Sequence, residues 1–431
     1  LLCCLAAAGA ILAADSARVE ASTYSGAPSD SLRVAPPVEE LVALALRRAP
    51  SIAATAARAA AAQEMVSPAG ALPDPSLEIM LQDEGFPDWT VGEMPMSMIG
   101  PQLSQGIPFP GKRGARRAAA REEAQVRERE SEAMRRDVAR EVREIYGRLY
   151  ALDREAATLD AGRELLGLLS ETVIARQSVG EADQEAVFKS RLARSRLEER
   201  SRDLAAERAM ALASLNRLLD RAGDAPLGIV ASLPHAAIPA VAWDSLAVRG
   251  SSQVMVRAAG VTAAEARLHA AKLDARPDFM AGAGIGFRGG LDPVVNFRLG
   301  MEIPLWSGSK QRPLTRAARA ELEASRQELR GAEAEARSAA ASVLADLART
   351  EEQITRYEES LVPQTSLAFD AARSAYLGGR GDFSTVVEDL NLWIEARAGH
   401  ARREADRFVA LARLDALTAP APELGVEGDS K

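Results

Sequence analysis

Gln102–Ala120 reads QLSQGIPFPGKRGARRAAA. Up to Ile107 polar and apolar residues alternate, as in a strand with one dry and one wet face. Pro108 and Pro110 then break the strand, and a basic, alanine-rich helix start follows at once. Phe297–Ala320 does the same: FRLGMEIPLWSGSKQRPLTRAARA. A chain that twice turns a strand directly into a long helix is building a wall that changes material part-way along.

The repetition extends outward from these two junctions. Ile107-Pro108 recurs as Ile303-Pro304 and Gly180 as Gly378, at offsets of 196 and 198 residues. Such constancy predicts an internal two-fold sequence repeat. Repeat 1 spans 38–225: a helix over Val38–Met65, strands at 76–82 and 97–107, a long helix over 113–177 and a helix over 183–219. A linker, 226–240, leads to repeat 2 at 241–418. This holds a helix over Asp244–Leu273, strands at 278–287 and 294–303, a long helix over 310–376 and a helix over 382–417. In the first long helix Val142, Ile145, Leu149, Leu152, Ala156 and Leu159 step by three and four, and Leu166, Leu169 and Val173 continue the seam of a coiled coil. Sixty-five residues of α-helix span roughly 98 Å. Pro363 predicts a kink in the second long helix.

The strands are amphipathic. Leu77, Ile79 and Leu81 share one face; Val295, Phe297, Leu299, Met301 and Ile303 alternate with Asn296, Arg298, Gly300 and Glu302. The pattern fits a soluble sheet packed on one side, and equally transmembrane β-strands between lipid and a wet lumen. Four strands cannot close a barrel, and an open edge cannot sit in lipid. Three chains would pool twelve strands around a channel.

Composition agrees with long helices: Ala, Arg, Glu and Leu abound, and aromatics make up 4% of 431 residues. A net charge of −8, with the two signs interleaved, gives no reason to expect nucleic-acid binding. Residues 1–14 resemble the apolar core of an export signal, a signal-peptide remnant. They contain both cysteines, Cys3 and Cys4, so acylation of one of them is an alternative reading. Segments 15–37 and 419–431 read as flexible ends.

Three segments carry a resemblance: LPDPSLEI at 72–79, LSQGIPFPGKRGARRAAA at 103–120 and YLGGRGDFSTVVEDLNLWIEA at 376–396. In them the chain resembles the TolC family of trimeric outer-membrane efflux channels, most closely the heavy-metal efflux branch. The resemblance implies a mainly α protomer whose four strands pool into a trimeric 12-stranded transmembrane β-barrel, continued by a periplasmic α-helical barrel. It implies a passive export duct in the outer membrane of a Gram-negative bacterium, docked to a periplasmic adaptor and an inner-membrane pump. No cofactor and no enzyme activity go with it. It places the barrel–helix junction at Pro108, Pro110, Gly111, Lys112, Arg113, Pro304 and Gly308, although LWSGSK puts Trp306 and Ser307 where FPGK has Pro110 and Gly111. Adaptor-docking tips fall at Val179, Gly180, Asp183, Leu377, Gly378, Gly379 and Asp382. The periplasmic aperture falls at Tyr376, Arg380, Thr385, Glu388 and Asp389, where the family's acidic pair becomes Thr385 and Glu388. Drug efflux and type I secretion are rival duties for such a duct. A soluble periplasmic coiled-coil scaffold is the rival of a different class.

Other motifs carry less. GAGIGFRGG, Gly282–Gly290, is followed by Pro293 and another strand rather than by a helix start that could receive a phosphate. His235, His269 and His400 have no metal-ligand spacing. Met94, Met96 and Met98, with Met80, surround the first inter-strand loop. Thioethers suit Cu(I), but flexible methionines also fill loops. KRGARRAAAR at Lys112–Arg121 lacks the interleaved aromatics of a nucleic-acid site and reads as a solvated helix start near a membrane-leaflet surface.

Overall fold

The computed structural model describes residues 34–83, 91, 93–178, 184–235 and 243–418. The signal-like segment with Cys3 and Cys4, the tip residues Val179, Gly180 and Asp183, and the tail 419–431 lie outside them. The chain is mostly helical with one small antiparallel sheet.

Helices α1 (Val38–Arg48) and α2 (Pro50–Glu64) replace the single helix expected there. Ala49, held extended at ψ 120° by the proline that follows it, ends one helix, and Pro50 opens the next where its missing N–H costs nothing. The short turn α3 (Val66–Ala69) leads to β1 (Ser76–Gln82) and β2 (Met98–Ile107). Helix α4 (Lys112–Ser178) runs 67 residues without interruption, and α5 (Gln184–Leu218) returns along it. The next helix is also split: α6 (Trp243–Gly250) and α7 (Ser252–Leu273) meet at Ser251, whose side chain accepts from Val254 N–H and caps α7. Strands β3 (Asp278–Arg288) and β4 (Leu291–Glu302) follow, then α8 (Gln311–Arg356), α9 (Val362–Leu377) and α10 (Phe383–Thr418).

Between α8 and α9 the kink expected at Pro363 takes a specific form, a π turn over Tyr357–Leu361. Pro363 has no N–H to give Glu359 and its ring would strike that carbonyl, so the preceding turn widens instead of breaking. Tyr357 opens the widened turn, and its ring lies against Gly399 on α10. A Cβ there would come within 2.6 Å of the Tyr357 hydroxyl.

One core threads the helices. Val142, Leu149, Leu152, Leu159, Leu166, Leu169 and Val173 of α4 are buried against α1, α5, α9 and α10. The corresponding seam of α8 is less covered: Leu347 is buried, but Leu361 in the π turn is exposed. The ends of the helical body are tied in as well. Ala35, expected to be loose, donates its N–H to Ile229 O, and Val230 N–H reaches the buried Asp153.

The sheet order is β1-β2-β3-β4. Its register lines Leu77, Leu103, Ala283 and Phe297 in one row, and Ile107, Phe279 and Met301 in another. The opposite face aligns Glu78, Gln102, Gly284 and Asn296, and next to them Ser76, Ser104, Gly282 and Arg298. On this polar face the Ser76 and Ser104 hydroxyls share a hydrogen bond and Arg298 donates to Gln102 Oε1. Gly284 keeps the face narrow, because a Cβ would stand 2.9 Å from Asn296 Oδ1 and 3.0 Å from Pro101 O. Among the described residues nothing covers the apolar face: Phe297 is 82% and Leu299 88% exposed.

Candidate functional site

Two places concentrate polar contacts between distant segments. The first is the strand–helix junction. Gly111 turns the chain at φ +95°, a left-handed conformation that a side chain resists. Lys112, only 3% exposed, then points back under the sheet, donating to Arg276 O and pairing with Asp278 at 2.8 Å. Asp278 also accepts from Phe109 N–H, while Phe109 stacks on Phe279 under the Arg276 guanidinium. Three further contacts reach neighbouring segments: Arg113 to Gly70 O, Arg116 to Asp274, and Gln105 to Pro73 O. Pro108 and Pro110 thus belong to a junction locked by a buried cation. The second junction is open by comparison: Leu305 and Trp306 are each 77% exposed, and Gly308 is exposed.

The second place is the far end of α4, where the chain passes from α9 to α10. Gly379 makes that turn at φ +75°. Arg176, in the last turn of α4, donates to Tyr376 O at 2.7 Å and Leu377 O at 2.6 Å, and its guanidinium lies 5.2 Å from the Tyr376 ring centre. These carbonyls end α9 and need donors, and a guanidinium fork suits two adjacent acceptors. Tyr376 is buried edge-on against Phe383, and burial pushes its phenol above the usual range; its hydroxyl meets no partner among the described residues. Across the end, Lys189 of α5 donates to Ser384 of α10.

The residues expected at an aperture divide here. Tyr376 is buried, Arg380, Thr385 and Glu388 are exposed, and Asp389 is half-buried. Glu388 and Ser384 line a groove of about 330 Å³ between α5 and α10, opposite Lys189 and Arg196. Leu377, Gly378 and Asp382 lie exposed on the turn. Arg176 and Lys189 were not singled out from sequence. The available signal was a cation four residues before Gly180 for Arg176 and one in the second turn of α5 for Lys189, which is weak in so arginine-rich a chain.

Between the two ends, Glu155 of α4 joins three helices. Arg200 of α5 binds Oε1 and Arg402 of α10 binds Oε2, each through Nε and Nη2. Burial alone would push this carboxyl up; the hydrogen bonds and charges of Arg402 and Arg200 outweigh it and hold it below the usual carboxylate range. Nearby, Tyr150 donates to Glu404, and burial together with that carboxylate pushes its phenol up to about 12.

His400, which looked isolated in sequence, sits 3.2 Å from Glu358 in the π turn and 3.8 Å from Glu404. Still, no group of three or more His, Cys, Asp or Glu side chains among the described residues could hold a metal ion. The methionines separate as well. Met94 and Met96 are exposed, whereas Met98 is buried on the polar face of β2, and Met80 lies by Asn296.

Residues 41–167 match the family model described as Outer membrane efflux protein. No curated protein matches the chain. Among solved structures, the outer membrane protein VceC of Vibrio cholerae aligns over 88% of this chain and 96% of its own, with 19% identity and a TM-score of 0.74. The fold is that of the outer-membrane efflux channels. CusC, described as forming a transmembrane channel, is similar over 92% of this chain and 95% of its own at 17% identity and a TM-score of 0.75. The CmeC outer membrane channel of Campylobacter jejuni is similar over 90% and 86% at 13% identity and a TM-score of 0.76. Among the described residues no helix is long and apolar enough to cross a membrane.

Proposed function

We propose that three copies of this chain form a passive export duct in the outer membrane of a Gram-negative bacterium, the long helices extending into the periplasm. The sheet is the observation that carries this reading. It presents an uncovered apolar face and a polar face, and as the terminal strands of the order, β1 and β4 each have one free edge. In lipid a free edge leaves backbone N–H and C=O groups unpaired at several kcal/mol each. Pairing β4 of one copy with β1 of the next closes twelve strands around a wet lumen. The internal repeat gives each copy two strand pairs and two helical staves. A solvated coiled-coil scaffold is disfavoured, because it would leave Phe297 and Leu299 in water.

The α4–α5 and α9–α10 ends are the docking surface for a periplasmic adaptor, which links the duct to an inner-membrane pump. Arg176 holds the α9–α10 turn against α4, and the exposed Glu388 of three copies forms a ring that repels anions and attracts cations. The cargo is a heavy-metal cation, a reading supported by this ring and by the exposed thioethers of Met94 and Met96.

The test is to express the full-length chain with its own export signal and separate the inner-membrane, outer-membrane and soluble fractions. An outer-membrane particle of about three times 45.8 kDa is expected, and a soluble monomer overturns the reading. In planar bilayers Glu388→Gln lowers cation selectivity, and Arg176→Met raises the fraction of time open. A deletion strain loses tolerance to Cu, Ag, Zn, Co or Cd. Loss of drug tolerance or of a secreted protein instead reassigns the cargo.

A further inference from the structure

All four strands meet helices at the same end of the sheet, the end marked by Ser76, Ile107, Asp278 and Glu302. There the apolar face runs on past β4 through Ile303, Leu305 and Trp306, all exposed. A tryptophan at the limit of an apolar band is the side chain that settles where hydrocarbon gives way to headgroups.

Immediately beyond, both long helices begin basic and free of acid. Lys112–Arg121 on α4 and Lys310–Arg319 on α8 contain no Asp or Glu; the first acids are Glu122 and Glu321. Ten residues rise about 15 Å, enough to cross the roughly 5–8 Å headgroup layer of one leaflet. A helix start prefers acidic residues, because its N–H groups carry partial positive charge. Neither helix has an acid in its first turn, so the cations stand against the local preference.

Lys112, Arg113 and Arg116 have partners within the chain, but most of these cations have no carboxylate partner. Farther along, Arg127, Arg129 and Arg326 each meet a glutamate. Among the described residues, Arg117, Arg121, Lys310, Arg312, Arg316 and Arg319 meet no carboxylate. At the same level Asp274 and Asp278 are already engaged by Arg116 and Lys112, leaving Asp74 and Glu302 at strand ends. Arg312, Arg316 and Arg319 are four and three residues apart, one exposed stripe on α8.

Resting on the membrane reading above, we infer that this stripe, with Arg117 and Arg121 on α4, docks anionic glycerophospholipid headgroups of the leaflet nearest the helices. Charge complementarity and continuity with the apolar sheet face select a lipid surface over a soluble partner. The arginines fix how deep the sheet sits, with Trp306 marking the boundary.

The probe is phosphatidylglycerol with brominated acyl chains, compared with brominated phosphatidylcholine, in vesicles holding the full-length protein. Quenching of Trp306 is isolated by subtracting a Trp306→Phe variant. Phosphatidylglycerol is expected to be favoured at least about five-fold at low ionic strength, the worth of one cation–headgroup contact. The preference fades near 1 M salt, where charges are screened within about 3 Å. Arg312→Gln/Arg316→Gln/Arg319→Gln brings the ratio close to one, while Arg326→Gln, whose native arginine is paired with Glu265, leaves it unchanged.

A wild-type ratio of one, or a preference that survives the triple substitution, overturns the assignment. So does stronger competition by lipid A, which would place the stripe in the opposite leaflet. A shift in ion selectivity with an unaltered lipid ratio would mean that the stripe lines the duct. Failure to enter vesicles at all removes the membrane reading itself, an outcome distinct from a ratio of one in inserted protein.

Discussion

Glu155 allows the joint between α4, α5 and α10 to be taken apart one charge at a time. Its side chain is 7% exposed, whereas Arg200 and Arg402 remain 40% and 46% exposed. The desolvation cost therefore falls on the carboxylate, and the arginines can return to water. Glu155→Gln should cost only about 1–2 kcal/mol, the loss of charge-assisted hydrogen bonds to donors that rehydrate. Arg200→Met/Arg402→Met strands a buried carboxylate and should cost about 3–5 kcal/mol. Adding Glu155→Leu to that double variant removes the stranded charge and should recover most of the loss. Urea unfolding of the purified protein, followed by helical circular dichroism, measures all of these variants. Because the folded carboxyl lies below its unfolded value, its stabilisation is complete above an ordinary carboxyl pKa of about 4.3 and is lost as pH falls through the lower folded value. Wild type should therefore lose stability below pH ~4 more steeply than Glu155→Gln. If Glu155→Leu worsens the double arginine variant, the joint is not held by a costly buried charge and the reasoning fails.

Leu299→Arg, on the bare apolar face, should cost about 2–4 kcal/mol at mid-membrane depth and deplete the outer-membrane fraction, while Asn296→Arg on the polar face leaves it intact. Gly399→Val should push Tyr357 out of the π turn and cost about 1–3 kcal/mol in urea unfolding. Leu149→Ala, at a side chain of α4 with no exposure, should cost about 2–5 kcal/mol by the same measurement.

The sheet and the long helices could be read from sequence because each is governed by one short period. In β4, Val295 to Met301 alternates without a fault, and the sheet register places those apolar residues on a common face. In α4, the three–four spacing from Val142 to Val173 coincides with the buried seam. Neither reading needed knowledge of a distant partner. The breaks at Ala49 and Ser251 were missed because alanine-rich helix patterns run straight across them; only the pre-proline restriction and a serine cap reveal them. Pro363 announced a defect but not its form. Whether a proline yields a kink or a π turn depends on what packs against the wider turn, and the answer, Tyr357 lodged over Gly399, lies 36 residues away on another helix.

The polar joints were illegible for a related reason. Arg200, Arg402 and Arg176 look like any of the arginines on solvated faces, and only tertiary placement separates those that meet Glu155 or the end of α9 from those that meet a neighbour one turn away. The two strand–helix junctions make the point most sharply. Their sequences align as FPGK and LWSGSK, a difference that reads as simple divergence. In the structure the first turns a lysine inward, where Asp278 holds it beneath the sheet, and the second leaves a leucine and a tryptophan outside. An ion pair with a buried cation is directional and fixes the angle between a strand and the helix that follows it, whereas an exposed indole fixes nothing within its own chain. The first junction therefore sets the shape of the protomer, and the second can act only on what surrounds it. The lock thus lies on the first connection and the exposed indole on the second, so Trp306 can be replaced without disturbing the lock.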